Sequence, residues 1–375
     1  MKNTIYKYFF FEFFRNFTII LFALTAVIWT IQAVNFLDLV TDDGHAFRVY
    51  LLYSFLIITK MLTKLIPFSF LLATILTITK LENDNELIIL WTSGLNKIHM
   101  VNQIFRISLL VMLIQIFMSN IITPETLNKS RKLLKHSELQ FVPSLLKQKI
   151  FNDTVEGLTV FVENKNIDGT YENLFIRDDS NILTQVSSNS STIFAKSGIV
   201  DKDNKKLILK NGNIQRFDVD GSVSIIKFDK TELSLSGLST KSISEPKIQE
   251  TSTLDIILCL QDKNLDMHNC QTEDKEKRDI KIEVNKRFGM PIFIPLIGLI
   301  CCFILSSRKE KKSSRKNNIT FYFTISFIIL TVSEITVRYS GLSFNHTLAY
   351  YFLPIGLLPL MYFLLIRTFK YENLK

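Results

Sequence analysis

Long uncharged stretches alternate with charged ones along this chain, and the uncharged ones are too long for a soluble core. Residues 16–37 form a run of 22 positions without a charge, bounded by Arg15 and Asp38. A helix needs about 20 mainly apolar residues to cross a bilayer's hydrocarbon layer. The run therefore predicts a membrane span over about Phe17–Leu37. Five more follow: one ending at Thr79, then about Ile98–Thr123, Phe288–Ser307, Ile319–Ile335 and Leu348–Ile366. The first is not read as a cleaved signal peptide. Its apolar run exceeds the roughly 7–15 residues of such a segment, and no A-x-A site follows. Three spans before a polar block and three after it predict a helical membrane bundle over 1–123 and 288–375, with a domain inserted at 124–287.

The inserted block has a different period. Leu158, Val160 and Val162 alternate with Thr159, Phe161 and Glu163, the signature of a half-buried strand. Apolar stretches recur at Leu174–Ile176, Thr192–Ala195, Leu207–Leu209, Ile214–Val219, Val223–Phe228 and Leu233–Leu235. Asp168-Gly169, Ser197-Gly198, Asn211-Gly212 and Asp220-Gly221 lie between them and read as turns. Seven short strands predict an antiparallel sandwich or open barrel. After Ser252 the pattern turns helical, and Glu273–Lys286 predicts a charged helix leading straight into the fourth span.

Charge orients the spans. Of the chain's 44 Lys/Arg and 35 Asp/Glu, residues 124–285 hold 23 and 25, so the basic surplus belongs to the hydrophobic flanks. Within Ser306–Asn318 stand Arg308, Lys309, Lys311, Lys312, Arg315 and Lys316 against Glu310. Lys2, Lys7 and Arg15 mark one terminus, and Arg367, Lys370 and Lys375 the other. Asp38–Arg48 and Tyr339–Thr347 lack such an excess. Positive charge favours the cytoplasmic side, so both termini are expected inside and 124–287 outside. This pattern, with 31 Phe and a mean hydropathy of +0.21, excludes a soluble enzyme and a nucleic-acid binder despite the net charge of +9.

Candidate chemistry is sparse. The sequence has no G-x-x-x-x-G-K-[ST], G-x-S-x-G, H-E-x-x-H or C-x-x-C motif. A hydrolase would have to use His136 or His268, so a non-enzymatic β domain is the simpler reading. No cofactor is called for, and His268-Asn269-Cys270 is too little for a metal site. Cys301 and Cys302 read as small apolar residues in a span. Cys259 and Cys270 lie in the outer block, where a disulfide is possible in an oxidising compartment but not demanded.

One inner loop stands out. Asn83-Asp84-Asn85-Glu86 reads as a capping box, with Asn83 as cap and Glu86 reaching back. Leu87, Leu90 and Trp91 recur at helical spacing, and Gly94 suits a left-handed stop. The pattern predicts an amphipathic helix over about 84–93. It is either a docking element for a partner, or a cap with Trp91 as an interfacial anchor.

Three spans, a β-rich outer domain and three more spans resemble the LptF/LptG permeases of Gram-negative bacteria. The specific parts are Lys80-Leu81, Glu86-Leu87 and Ser93-Gly94-Leu95 in the inner loop, and Glu283 through Arg287 with Pro291 entering the fourth span. The Phe36-Leu37-Asp38-Leu39 run and Pro67 are more similar to the F-type than the G-type subunit. The resemblance implies a permease subunit of an ABC transporter at the inner membrane, extracting lipopolysaccharide toward the outer membrane. It implies a homologous G-type sister permease, a dimeric cytoplasmic ATPase and a periplasmic bridge protein of the same β-jellyroll type. ATP hydrolysis is then expected in the partner.

The resemblance places Glu86 on the family's coupling-helix acid, with Leu90, Trp91 and Gly94 beside it. It makes Leu158, Val160, Ile214 and Phe217 candidates for an acyl-chain groove. Span one of the family often carries basic residues for lipid phosphates, whereas Gln32 and Asn35 are neutral. Ile89 and Trp91 stand where small and basic residues are commoner. Lys60 and Lys64 interrupt span two one turn apart, on one face. Counting back about 20 residues from Thr79 puts Lys60 at the outer edge of the hydrocarbon. The two lysines either snorkel to the headgroups or supply the charge that Gln32 and Asn35 do not. The reading from a different class is a membrane-anchored periplasmic scaffold or sensor, which has no need of a partner-binding helix on the far side.

Overall fold

A computed structural model describes residues 2–41, 47–137, 146, 148–155, 157–166, 168–179, 190–201, 206–217, 222–234, 247–261, 270, 274–306 and 312–372. They divide into two compact units. One comprises residues 1–31, 57–128 and 247–375, the other 32–56 and 129–246.

The first unit is helical. Its elements derive from α1 (Lys2–Asn35), α3 (Phe47–Asn83), α4 (Glu86–Thr92), α5 (Lys97–Phe117), α6 (Thr123–Ser137), α7 (Thr253–Leu260), α8 (Asp274–Cys302), α9 (Lys312–Tyr339) and α10 (Phe344–Glu372). The short α2 (Asp38–Thr41) belongs to the other unit. Six helical stretches are long and apolar enough to cross a membrane: Thr4–Val40, Phe47–Asn83, Lys97–Leu134, Lys277–Ser306, Asn317–Tyr339 and Phe344–Lys370. Each covers one of the six runs read from the sequence, the fourth as far as Ser306 because Ser307 lies outside the described residues. Helices are long because lipid offers no partner to backbone polar groups, which must be satisfied within the segment.

α8 is the axis of the bundle. Phe293, Ile294, Leu296, Ile297, Leu299 and Ile300 are all buried, and so are Cys301 and Cys302. Its charged start and apolar end form one unbroken helix despite Pro291 and Pro295. Buried polar groups on it are paired: Asn285 donates to Ser340 at 3.0 Å and accepts from Tyr351 at 3.3 Å.

The second unit carries one antiparallel sheet in sequence order: β1 (Asn152–Val155), β2 (Leu158–Lys165), β3 (Thr170–Asp178), β4 (Ser190–Asp201), β5 (Lys206–Phe217) and β6 (Val223–Ser234). Its buried face gathers Leu158, Val160, Val162, Leu174, Ile176, Ile193, Leu209 and Ile214. At the β5–β6 edge, Lys206 and Lys230 donate to Glu232 at 2.8 and 3.1 Å, which holds that carboxyl below its usual pKa. Burial raises the phenol pKa of Tyr171.

The strand count differs from the sequence reading. Leu207–Leu209 and Ile214–Val219 share one strand as far as Phe217, and Val223–Phe228 and Leu233 share another. Asn211-Gly212 is therefore no hairpin turn. Asn211 takes φ 53° inside β5, as Asn173 takes φ 50° inside β3. Asparagine tolerates this left-handed region. The ladder passes over both positions, from Lys210 to Gly212 and from Glu172 to Leu174. A Cβ at Gly212 would lie 2.1 Å from Phe194 O, so close backbone approach selects this glycine. Ser197-Gly198 also lies within a strand, whereas Asp168-Gly169 does turn between β2 and β3. Asp220-Gly221 and Leu235 lie outside the described residues, as do His268, Asn269 and the basic run from Arg308 to Lys311.

Candidate functional site

A polar cleft of about 70 Å³ opens among the membrane helices of the first unit. α3 contributes Lys60, Thr63 and Lys64. The helix is continuous through both lysines, which fall on one face as their spacing requires. α8 contributes Glu283, Lys286, Arg287 and Met290, and α9 adds Glu334.

The opposite wall is a π-helical turn, Met118–Ile122, between α5 and α6. Ser119 and Asn120 donate back to Ile116 O at 3.2 and 2.9 Å, which occupies a carbonyl of the widened turn. Such turns are frequent at functional sites. Threonine pairs hold this wall to α3: Thr63 meets Thr123 at 2.9 Å and Thr59 meets Thr126 at 2.6 Å. Gln115 is buried and donates to Thr63 O at 3.5 Å, while its Oε1 has no partner among the described residues. The third helical stretch continues past Thr123 to Ser137.

The four cations of the cleft are not equivalent. Arg287, 3% exposed, spends its guanidinium on the protein. Nε donates to Glu283, Nη1 to Thr253 Oγ1, and Nη2 to the carbonyls of Ile248, Gln249 and Thr251. It fixes the turn Ile248–Glu250 as part of the rim, where Gln249 lines the cleft. Lys60, Lys64 and Lys286 have no ion pair among the described residues. The charges acting on Lys60 are Lys64, Lys247 and Lys286 against Glu250. With Glu283 taken up by Arg287, the three ammonium groups outnumber the remaining carboxylate of the lining, Glu334, and such a surplus stabilises an anion placed among them. Gln32, half-buried, and Asn35, exposed, lie on the α1 segment that belongs to the other unit.

At the other end of α3 the capping box does not form. α3 runs through Asn83, and α4 begins only at Glu86 after Asn85 in the left-handed region, φ 59°, with no side-chain cap. The apolar run before Asn83 extends the span and takes the proposed cap into its last turn. Glu86 instead accepts from Tyr8 of α1 at 3.1 Å. Gly94, φ 84°, ends the helix as read. The amides of Leu95 and Gly94 bond Leu90 O and Trp91 O, a Schellman arrangement that a residue with a Cβ would strain. Leu90 and Trp91 pack half-buried against the bundle, with Lys97 over the indole at 5.9 Å. The outward side chains are Ile88 and Ile89, 41% and 64% exposed. Beside them runs an apolar groove of about 390 Å³, lined by Thr4, Ile5, Tyr8, Phe9, Leu81, Glu86, Ile89, Leu90 and Met100.

In the sheet, Leu158, Val160 and Ile214 belong to one buried cluster. Val160, Ile176, Ile193, Ile214 and Ile226 stand in register across five strands. The row is buried as far as Ile214 and opens at Ile226, 42% exposed, on the β6 edge. The backbone of Phe217 pairs with Ser190 and Val223, and its side chain lies outside what is described. The other face carries an aromatic ladder that the alternation pattern did not flag. Phe151 stacks on Phe161 at 4.6 Å, and Phe175 meets Phe194 at 5.2 Å.

Cys259 and Cys270 form a disulfide that ties the end of α7 to residue 270.

Comparison with known proteins gives the family. The model described as "Lipopolysaccharide export system permease LptF/LptG" matches residues 7–368. A curated relative, "Uncharacterized protein RP871" of Rickettsia prowazekii (strain Madrid E), is 26% identical over 224 residues. That match covers 59% of this chain and 61% of the relative.

Proposed function

The chain belongs to the LptF/LptG family of lipopolysaccharide export system permeases, and we propose that it is the F-type permease of an ATP-driven exporter. As a multi-pass inner-membrane protein with six spanning helices it serves as a transport subunit. A homologous G-type permease completes the membrane path. A dimeric cytoplasmic ATPase supplies the energy, and a periplasmic bridge of the same β-jellyroll type receives the lipid. The Phe36–Leu39 run and Pro67 inside α3 favour the F-type assignment.

The observation that carries this reading is the cleft with three ammonium groups, Lys60, Lys64 and Lys286, that have no ion pair among the described residues. Charge in a membrane is costly and is retained where it meets a substrate. Lipid A phosphates are anions at the depth of the headgroups. The lysines hold them as point charges, while Arg287 keeps the rim in place. The Cys259–Cys270 disulfide supports an oxidising, periplasmic side for this end of the bundle. α4, beyond the opposite end of α3, then faces the cytoplasm, where Glu86, Ile88 and Ile89 meet the ATPase. The sheet accepts acyl chains along its apolar face, and the row ending at Ile226 gives them an open edge.

Purification from native membranes, with identification of the co-eluting subunits and reconstitution into proteoliposomes containing lipopolysaccharide, tests the reading. The expected result is a second permease and a soluble ATPase, with ATP-dependent release of the lipid. ATP turnover by the isolated polypeptide would sink it.

A further inference from the structure

Two left-handed residues bracket α4, Asn85 before it and Gly94 after it. Short elements turn as units about such positions. Among the described residues, the side-chain hydrogen bond that ties α4 to another helix is the one from Tyr8 Oη to Glu86 Oε1. One turn further along α1, Glu12 is buried and accepts from Lys80, in the last turn of α3, at 2.6 Å, and also from Arg15. The next turn binds Asn16 to Thr77 at 3.0 Å. Phe9, Phe13 and Phe17 bury the same third of α1, with Phe13 against Phe70 of α3 at 5.6 Å between ring centres. Beyond it Ile19, Phe22, Val27 and Ile31 are 58–61% exposed. α1 is thus joined to α4 and α3 over three successive turns at this end, whereas the turns that follow present much exposed apolar surface before Ala33 O accepts from Tyr50 at 3.0 Å.

We propose that Tyr8 is a positioning residue that links α4 to the first membrane helix. Its hydroxyl holds Glu86 against α1. A displacement of α4 then pulls on α1 through this bond, about the fulcrum that Glu12 and Lys80 form. The hydroxyl adds nothing that a phenyl ring would not to the burial of α1, so the ring and the bond are separable. The inference rests on α4 being the docking element for the ATPase.

The test uses the full complex with the ATPase, carrying spin labels at Ile19→Cys on α1 and Leu113→Cys on α5. Both positions are 61% exposed, while Cys301 and Cys302 are buried and Cys259 and Cys270 are paired. ATP is expected to change the label separation in the parent complex. Tyr8→Phe is expected to abolish at least half of that change and to lower lipopolysaccharide moved per ATP at least threefold, with ATPase retention in a pull-down unchanged. Tyr6→Phe, on the same turn, is expected to behave as the parent. A Tyr8→Phe complex with the parent's label response and transport ratio overturns the inference and leaves the permease reading standing. A parent complex that moves no lipopolysaccharide overturns both.

Discussion

Arg287 Nη1 donates to Thr253 Oγ1 at 2.7 Å and joins α8 to α7 across 34 residues of chain, and Thr253 passes its own proton on to Asn120 O at 2.8 Å. The relay ends at the π turn, so one buried guanidinium holds three elements at the rim of the cleft. Removing it leaves four acceptors and the Glu283 carboxylate without their donor. Arg287→Ala is expected to cost about 3–5 kcal/mol, the scale for breaking a buried ionic network. Thr253→Val should cost about 1–3 kcal/mol, the scale for leaving a buried polar group unsatisfied. Thermal unfolding of the detergent-solubilised protein, with protease cleavage within 247–261, measures both. Unchanged melting for Arg287→Ala would show that the clamp is not structural.

The disulfide gives a prediction about sidedness. In intact cells Cys259 and Cys270 should resist alkylation until a reductant that acts outside the inner membrane is added. Cys301 and Cys302 are buried in α8 and should label only after denaturation. Mass analysis of the alkylated peptides reads all four. Rapid labelling of Cys259 without reductant contradicts an oxidising side for this end of the bundle.

The spans were legible because 20-residue apolar runs have few other uses, and the sheet because Leu158, Val160 and Val162 alternate. The capping box at Asn83 misled because local signals at a helix end compete with the apolar run before it, and the run prevailed. Asn211-Gly212 misled because left-handed residues serve kinks within strands as well as turns between them. Lys60 and Lys64 could be placed on one face from spacing. Lys286 and the clamp of Arg287 could not, because apart from Glu283 their partners are 30 to more than 200 residues away and only folding brings them together.

Docking at α4 predicts two classes of variant. Glu86→Arg reverses the charge beside the groove and breaks the bond to Tyr8, and should release the ATPase while membrane insertion stays intact. Ile89→Asp places a charge on the most exposed apolar side chain of α4 and should do the same. Trp91→Phe alters a half-buried residue that packs inward, and should retain binding. A pull-down of the ATPase with the membrane complex checks the three. Retention by both Glu86→Arg and Ile89→Asp rules out α4 as the docking element.

The sheet predicts an ordered crosslinking pattern. A photocrosslinker at Leu158, Val160, Ile214 or Phe217 should capture lipopolysaccharide only when ATP is supplied, and one at Ile226, on the open edge, should capture it most strongly. A probe at Thr159 or Arg177 alternates to the other face and serves as the control. Equal yields on both faces would remove the groove assignment.

The lysines of the cleft give the sharpest separation of readings. If Lys60 and Lys64 only snorkel, their ammonium groups are solvated by any headgroup, and the stems are what matters. Replacing both with alanine then alters insertion or tilt and leaves lipid capture unchanged. If they hold lipid A phosphates, capture before ATP is added depends on their charge. Lys60→Ala with Lys64→Ala should then lower lipopolysaccharide crosslinking to the assembled complex by roughly tenfold, the equivalent of about 1.4 kcal/mol. Lys→Arg at both positions keeps the charge and should largely preserve capture, since a point charge needs no particular fork geometry. Lys286→Ala should add to the loss because this ammonium faces the same cleft. Raised salt should weaken the parent more than the double alanine variant, in which Lys286 still faces the cleft, because screening acts only where charge does the binding. An unchanged yield in the double alanine variant, with normal insertion, rejects the phosphate role.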